Sequence, residues 1–342
     1  MLKKISAGTI GILSFVTIYA QDSTKTAAPA AAPAASPTTF TYSVDAYYRA
    51  DFAGQASNNK TSFTNSNNSF ELGMASVRAD HSFGKLAATI DLGFGRRAQE
   101  FSYNDVATVQ VIKQAYLSYA VSPKIKFTVG KWATHIGYEL LDAYANRNYS
   151  MSYGFSYGPF FHTGARADIT LGAKSALMVG IANPTDYTTT TSSVKMFIAQ
   201  FSTGTKNDKL KAFLNYQGGT DKSQFDLVVN GVVSSKFGIN YDGTVADIAG
   251  KTWSSNALYF NYDPTSKFGL ALRGEYFDDT KNAVGVGSSV FAATLSANIH
   301  LDNLTIIPEL RLDNAKNQIF LNSSNAATSG AGNILIAAVY KF

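Results

Sequence analysis

The side chains with chemistry to offer are charged groups spaced two apart. Arg273 with Glu275 and Arg166 with Asp168 are such pairs, and Glu309, Arg311 and Asp313 form a triple. Asp45 and Arg49 lie four apart, and Lys211 alternates with apolar residues. Residues i and i+2 of a strand share a face, so each set presents its charges on one side of an extended segment. Around an aqueous passage such groups set a transverse field and screen permeating ions. The plainer alternative is that they pair with one another and stiffen a wall. Both signs occur, so no strong charge selectivity is expected. Catalytic and metal-binding spacings are missing. His135 and His162 flank a long polar link with Glu139 nearby, but there is no His-x-His or His-Glu-x-x-His, so neither a metal site nor a cofactor is expected. His81-Ser82 and His162-Thr163 are chain neighbours, which on a strand point to opposite faces, and no Gly-x-Ser-x-Gly elbow exists. Cysteine is absent, which removes disulfides, thiolate zinc sites and thiol nucleophiles. The formal charge of +5 is not gathered into a basic stripe, so nucleic acid is not an expected partner.

These groups sit within a chain that alternates with period two from Phe40 to Phe342. In the first segment Phe40, Tyr42, Val44, Ala46, Tyr48, Ala50 and Phe52 share a face, opposite Asp45 and Arg49. In the last, Ile334, Ile336, Ala338, Tyr340 and Phe342 do so. The runs are about 10 residues or more, the length of a tilted membrane strand, whereas soluble strands average about 5–6. Charged residues are only 15% against a usual value of about 25%, and aromatics reach 13%. Short turns at Gly84, Ser122-Pro123, Ala173, Gly204 to Asn207, Asp263 to Ser266 and Asp302 alternate with longer polar links. Those links are 53–67, 97–107, 134–160, 184–192, 243–251, 279–287 and 315–329. Short turns on one side and long loops on the other are the signature of bacterial barrels. The expected fold is all-β, a transmembrane antiparallel up-and-down barrel of about sixteen strands, with fourteen or eighteen left open because 194–201 and 224–241 are weakly patterned. Three places disagree with simple alternation: Met74 to Val77, Lys113 on an apolar side, and Pro308, which removes a ladder donor. A β-bulge is expected at each.

Residues 1–20 read as a secretory signal, with Lys3 and Lys4 ahead of an uncharged segment ending at Ala20. Residues 21–39, rich in Ala, Pro and Thr, read as a flexible linker, and 40–342 as the barrel domain. The terminal Tyr340-x-Phe342 resembles the signal by which outer-membrane barrels are recognised for assembly, which implies the barrel assembly machinery as a partner. Link 134–160 carries Tyr138, Glu139, Asp142, Arg147, Tyr149 and Tyr153. Persistent long loops are often functional, and this one is expected either to enter the lumen as a constriction or to cap the rim.

Three stretches carry a family resemblance. Gly130-Lys131-Trp132, Gly137-Tyr138-Glu139, Asn146, Tyr149-Ser150, Tyr153, Gly158-Pro159-Phe160 and His162-Thr163-Gly164 form a central block. Leu272 to Asp279 and Pro308 to Asp313 are the other two. Together they resemble the putative β-barrel porin-2, or OmpL-like, family, over about Phe40 to Phe342. That resemblance implies a single-domain channel in the outer membrane of a Gram-negative bacterium, surrounded by outer-membrane lipid, and transfers no catalytic residues. The expectation is therefore a water-filled channel for passive diffusion of small polar solutes and ions, with no enzymatic activity. A homotrimer is open as an assembly state, although no segment identifies an interface. The alternatives are an outer-membrane hydrolase and a plugged structural or adhesive barrel.

Overall fold

The computed structural model describes residues 38–342, so the signal segment 1–20 and nearly all of linker 21–39 lie outside the described residues. Sixteen antiparallel strands close on themselves. They are β1 Thr39–Asp51, β2 Ser69–Phe83, β3 Leu86–Phe94, β4 Ile112–Ser122, β5 Ile125–Ala133, β6 Phe161–Thr170, β7 Ala176–Ala182 and β8 Met196–Gly204. Then follow β9 Leu210–Gly218, β10 Lys222–Ser234, β11 Phe237–Ile248, β12 Lys251–Thr265, β13 Phe268–Asp278, β14 Ser289–Leu301 and β15 Leu304–Ala315. A two-stranded hairpin, β16 Phe320–Leu321 and β17 Ala327–Thr328, forms a separate sheet, and β18 Gly330–Lys341 completes the barrel by pairing with both β15 and β1. The weakly patterned 194–201 and 224–241 supply β8, β10 and β11, which fixes the count.

The two faces are inverted relative to a soluble protein. Leu272, Tyr276, Phe291, Leu295, Ile334 and Ile336 are exposed on the outside, while Arg49, Arg273, Glu275, Thr294 and Ser296 are buried inside. A sheet can meet hydrocarbon only if it has no free edge and every backbone group pairs with a neighbouring strand. Closure satisfies the backbone and alternation supplies the greasy exterior.

Two of the three irregularities are bulges. Asp45 pairs with Met74 but Ala46 with Leu72, so Gly73 is the extra residue. Asp91 pairs with Gln114 but Leu92 with Ile112, which makes Lys113 the extra residue and turns it inward. The lysine is 2% exposed and pairs with Asp91 at 3.0 Å and Asp142 at 2.5 Å. The third expectation is corrected. β14 and β15 keep one register on either side of Pro308, Ser296 opposite Glu309 and Ile299 opposite Ile306, and the pairing lapses between. The missing donor is accommodated by a gap without an inserted residue, and β15 stays paired with β18 through Pro308 and Ile336.

All seven even-to-odd connections from β2–β3 to β14–β15 are short turns. The opposite end carries the long loops, with one further correction. Instead of a long link at 243–251, β11 runs to Ile248 and a tight turn at Ala249-Gly250 leads into β12; both turn residues have positive φ. The loops at this end hold α1 Arg96–Phe101, α2 Ala107–Gln110 and α3 Tyr153–Tyr157. Phe63, Met74, Phe101, Met151, Phe155, Phe160 and Phe161 pack into an apolar cluster made largely of loop residues.

Candidate functional site

The β5–β6 loop, 134–160, is pinned along its length by side chains of the barrel's inner face. It leaves β5 with Gly137 N–H donating to Asp226 (3.0 Å) on β10 and Tyr138 N–H to Asp242 (3.0 Å) on β11. The Tyr138 hydroxyl accepts from Asn240 at 3.2 Å, and its ring lies 4.3 Å from that of Tyr259. Arg147 forms a two-pronged ion pair with Asp263, beside the turn that follows β12, so the loop reaches the short-turn end of the barrel. It then turns back along β15, β1 and β13. Tyr149 N–H donates to Glu309 (2.8 Å) and its hydroxyl to Asp45 (2.5 Å). Tyr153 and Gly154 N–H donate to the two oxygens of Glu275 (2.9 and 2.8 Å), at the start of α3.

The cations of the inner face hold the loop as well. Arg273 pairs with Glu139 (2.5 Å) and donates to the Ser150 carbonyl (2.7 Å). Glu139 also accepts from Ser152 N–H and hydroxyl, so one carboxylate staples the two limbs of the loop together. Arg311 pairs with Asp313 (2.9 Å) and donates to the Met151 carbonyl (2.7 Å). Charge-assisted hydrogen bonds of this kind are roughly twice as strong as neutral ones. Removing one member of a buried pair leaves an uncompensated charge, at a cost of about 3–5 kcal/mol.

Ionisation within the loop favours this arrangement. Burial holds the Tyr149 and Tyr153 hydroxyls well above the ordinary tyrosine range and pushes Tyr138 up to about 12, so all three stay protonated. Burial also pushes His135 down to about 4, leaving it neutral. His135 and His162 do meet, with ring centroids 4.9 Å apart, but their Nε2 atoms are engaged by the Tyr216 carbonyl and the Thr134 hydroxyl. Among the described residues no group of three or more His, Cys, Asp or Glu is placed to hold a metal ion.

The charged groups read from the sequence divide in two. Asp45, Arg273, Glu275, Glu309 and Arg311 touch the loop, and Asp313 pairs with Arg311. Arg49 instead donates to the Ser66 carbonyl (2.7 Å) and pairs with Asp51 (3.7 Å). Arg166, Asp168 and Lys211 pair with charged groups outside the loop. Arg166 and Asp168 are 3.7 Å apart, Lys126 lies 3.4 Å from Asp168, and Lys211 lies 3.8 Å from Asp208. Beside the loop a cavity of about 250 Å³ is lined by Arg78, Lys113, Tyr116, Trp132, Tyr144, Arg166, Asp168 and Gln200. The Arg166 guanidinium lies 5.0 Å over the Trp132 ring.

Several anchors were missed. Asp226 falls in the weakly patterned 224–241 and Asp242 directly after it, though alternation of Asp226 with Phe225 and Leu227 marks its face. Asp263 falls in the segment 263–266 that reads as a turn, yet belongs to the end of β12. Arg97, on α1, is fully buried between the Phe63 and Tyr149 rings and donates to the Leu141 carbonyl (3.0 Å). No periodicity signals it, because its position follows from loop packing.

A sequence model of the putative β-barrel porin-2, OmpL-like family matches residues 37–342. The chain belongs to this family. Among curated protein sequences none matches this chain. Its fold is that of solved outer-membrane channels at low identity. The DcaP channel of Acinetobacter baumannii aligns with TM-score 0.60 and 12% identity over 90% of this chain and 97% of that one. The anion-selective porin of Comamonas acidovorans gives 0.59 and 12%, covering 90% and 100%. A variant of the Rh. blastica porin gives 0.58 and 10%, again covering 90% and 100%.

Proposed function

We propose that the porin is a loop-constricted diffusion channel of the outer membrane, passing small polar solutes without a cofactor or a chemical step. The observation that carries this reading is the set of anchors between the β5–β6 loop and Asp45, Asp226, Asp242, Asp263, Arg273, Glu275, Glu309 and Arg311, all on barrel strands. A sixteen-stranded wall encloses an aqueous lumen, and a loop fixed across it narrows the passage. In this reading the remaining path follows the wall of β2 and β4 to β8, where the half-buried Arg78, Arg166 and Asp168 share a cavity with the Thr134 to Ala145 limb of the loop. Oppositely charged groups there orient dipolar solutes by field alone. Export by segment 1–20, insertion by the barrel assembly machinery and recognition through Tyr340 and Phe342 complete the proposal. The short turns then face the periplasm and the long loops the exterior.

A second reading is favoured by one feature: Arg49, Arg273, Glu275 and Arg311 are at most 2% exposed, as in a sealed interior. Liposome swelling with sugars and amino acids of graded size separates the two. The constricted channel admits the smallest solutes and excludes larger ones. No swelling with any solute, under conditions where a general porin swells the same liposomes, overturns the channel and favours a plugged structural barrel.

A further inference from the structure

Charge is divided unevenly between the two ends of the barrel. The short connections are 84–85, 123–124, 171–175, 205–209, 235–236, 266–267 and 302–303. All but the last contain lysine: Lys85, Lys124, Lys174, Lys206 with Lys209, Lys236 and Lys267. Arginine does not occur in them, and their acids are Asp208 and Asp302. Seven bases therefore face two acids. At the opposite end, the connections apart from the interior loop 134–160 carry six bases and five acids. All seven turn lysines are exposed, and Lys174 is paired with Asp208 at 2.6 Å.

Position supplies a second observation. Exposed apolar side chains stand immediately beside these amines: Phe83 and Leu86 bracket the first turn, Val121 lies near Lys124, Leu171 near Lys174, Leu210 next to Lys209 and Val233 near Lys236. The amines thus ring the barrel just past the edge of its greasy band. A lysine stem lies along apolar surface while its ammonium reaches polar surroundings. At that height in a bilayer the surroundings are lipid headgroups, and anionic headgroups attract basic residues held at the surface.

We propose that this ring binds the anionic phosphodiester headgroups of the leaflet on the short-turn side, with phosphatidylglycerol as the representative chemistry. The residue type agrees with such a partner. Lysine is a mobile point charge without the fixed fork with which arginine recognises one shaped ligand, so a ring of lysines suits many exchanging headgroups better than one bound molecule. The proposal rests on the barrel spanning a bilayer and is independent of whether it conducts.

The test is electron spin resonance of the refolded porin in phosphatidylcholine bilayers carrying a trace of spin-labelled phosphatidylglycerol or phosphatidylcholine. The expected result is a several-fold higher association constant for phosphatidylglycerol, lost at 1 M salt, where the Debye length is about 3 Å, and lost when the seven lysines are changed to glutamine. Should that variant fail to insert, Lys85→Gln with Lys124→Gln and Lys236→Gln is expected to lower the preference in part. Changing Lys60, Lys281 and Lys316 of the opposite end to glutamine should leave it intact. Equal association of the two lipids, or a preference that survives both turn variants, overturns the proposal. So does a result in which the turn lysines prove necessary for sedimentation with purified peptidoglycan and not for lipid selection. A silent channel with intact lipid preference would overturn the diffusion reading alone.

Discussion

At the residue scale the lumen is organised by carboxylates that accept hydrogen bonds from one loop. Asp45 shows how tightly this is built. Its partner, the Tyr149 hydroxyl, passes beside Gly73, where an added Cβ would lie 1.9 Å from the Asp45 carboxylate and 2.6 Å from that hydroxyl. Gly73→Ala is therefore expected to displace the Tyr149 anchor, read as increased proteolytic cleavage within 134–160 while β-sheet circular dichroism is unchanged. Tyr149→Phe leaves a buried carboxylate oxygen without its donor. A loss of about 1–3 kcal/mol is expected in urea unfolding, and a wild-type midpoint in the variant would show the contact to be idle. The loop's return is fixed by Asp186, which accepts from Phe160 N–H (2.7 Å) and Phe161 N–H (3.0 Å). Burial pushes its carboxyl up to about 6 from 3.8. Because the folded value lies above the unfolded one, the folded state holds the proton more tightly and stability falls as pH rises through that window. Wild type is expected to lose about 2–3 kcal/mol between pH 4 and 6, and Asp186→Asn to flatten that slope. An unchanged slope in the variant would assign the dependence to other groups.

At the element scale most of the barrel was legible, for a physical reason. A strand with lipid on one side and polar groups on the other must alternate, and its length must match the bilayer. Phe40 to Asp51, Phe268 to Tyr276 and Ile334 to Lys341 obey both conditions and lie in strands. Irregularities were legible only as breaks. Lys113 signalled that its strand is re-phased, whereas Pro308 did not reveal that the ladder lapses without a bulge, because that outcome depends on its neighbour β14. The loop's course was not legible, since anchors such as Arg147 to Asp263 join residues far apart in sequence with no periodicity to link them. The carboxyl terminus closes the seam: Phe342 N–H donates to the Tyr42 carbonyl (3.0 Å), and its ring stacks on Tyr42 with centroids 5.2 Å apart. Phe342→Ala is expected to lower the yield of inserted barrel in cells and to leave refolding into detergent intact. Equal loss in both settings would assign Phe342 a purely structural role.

At the scale of the whole molecule the interior holds two layers of structure. The outer layer is the closed sheet. The inner layer is loop 134–160, whose polar backbone would be stranded inside the wall without partners. Its amides and carbonyls are met by the charged side chains that sequence alternation had already placed on the inner face. Those charges were identifiable one strand at a time; their shared purpose was not, because it appears only when strands from β1 to β15 converge on one segment. In the proposed channel this segment sets the size of the passage. Single-channel conductance in planar bilayers tests it most directly, comparing the wild-type porin with a variant lacking residues 142–152. A small ohmic conductance is expected in the wild type and a clearly larger one in the deletion; equal conductances would show that the loop does not narrow the passage.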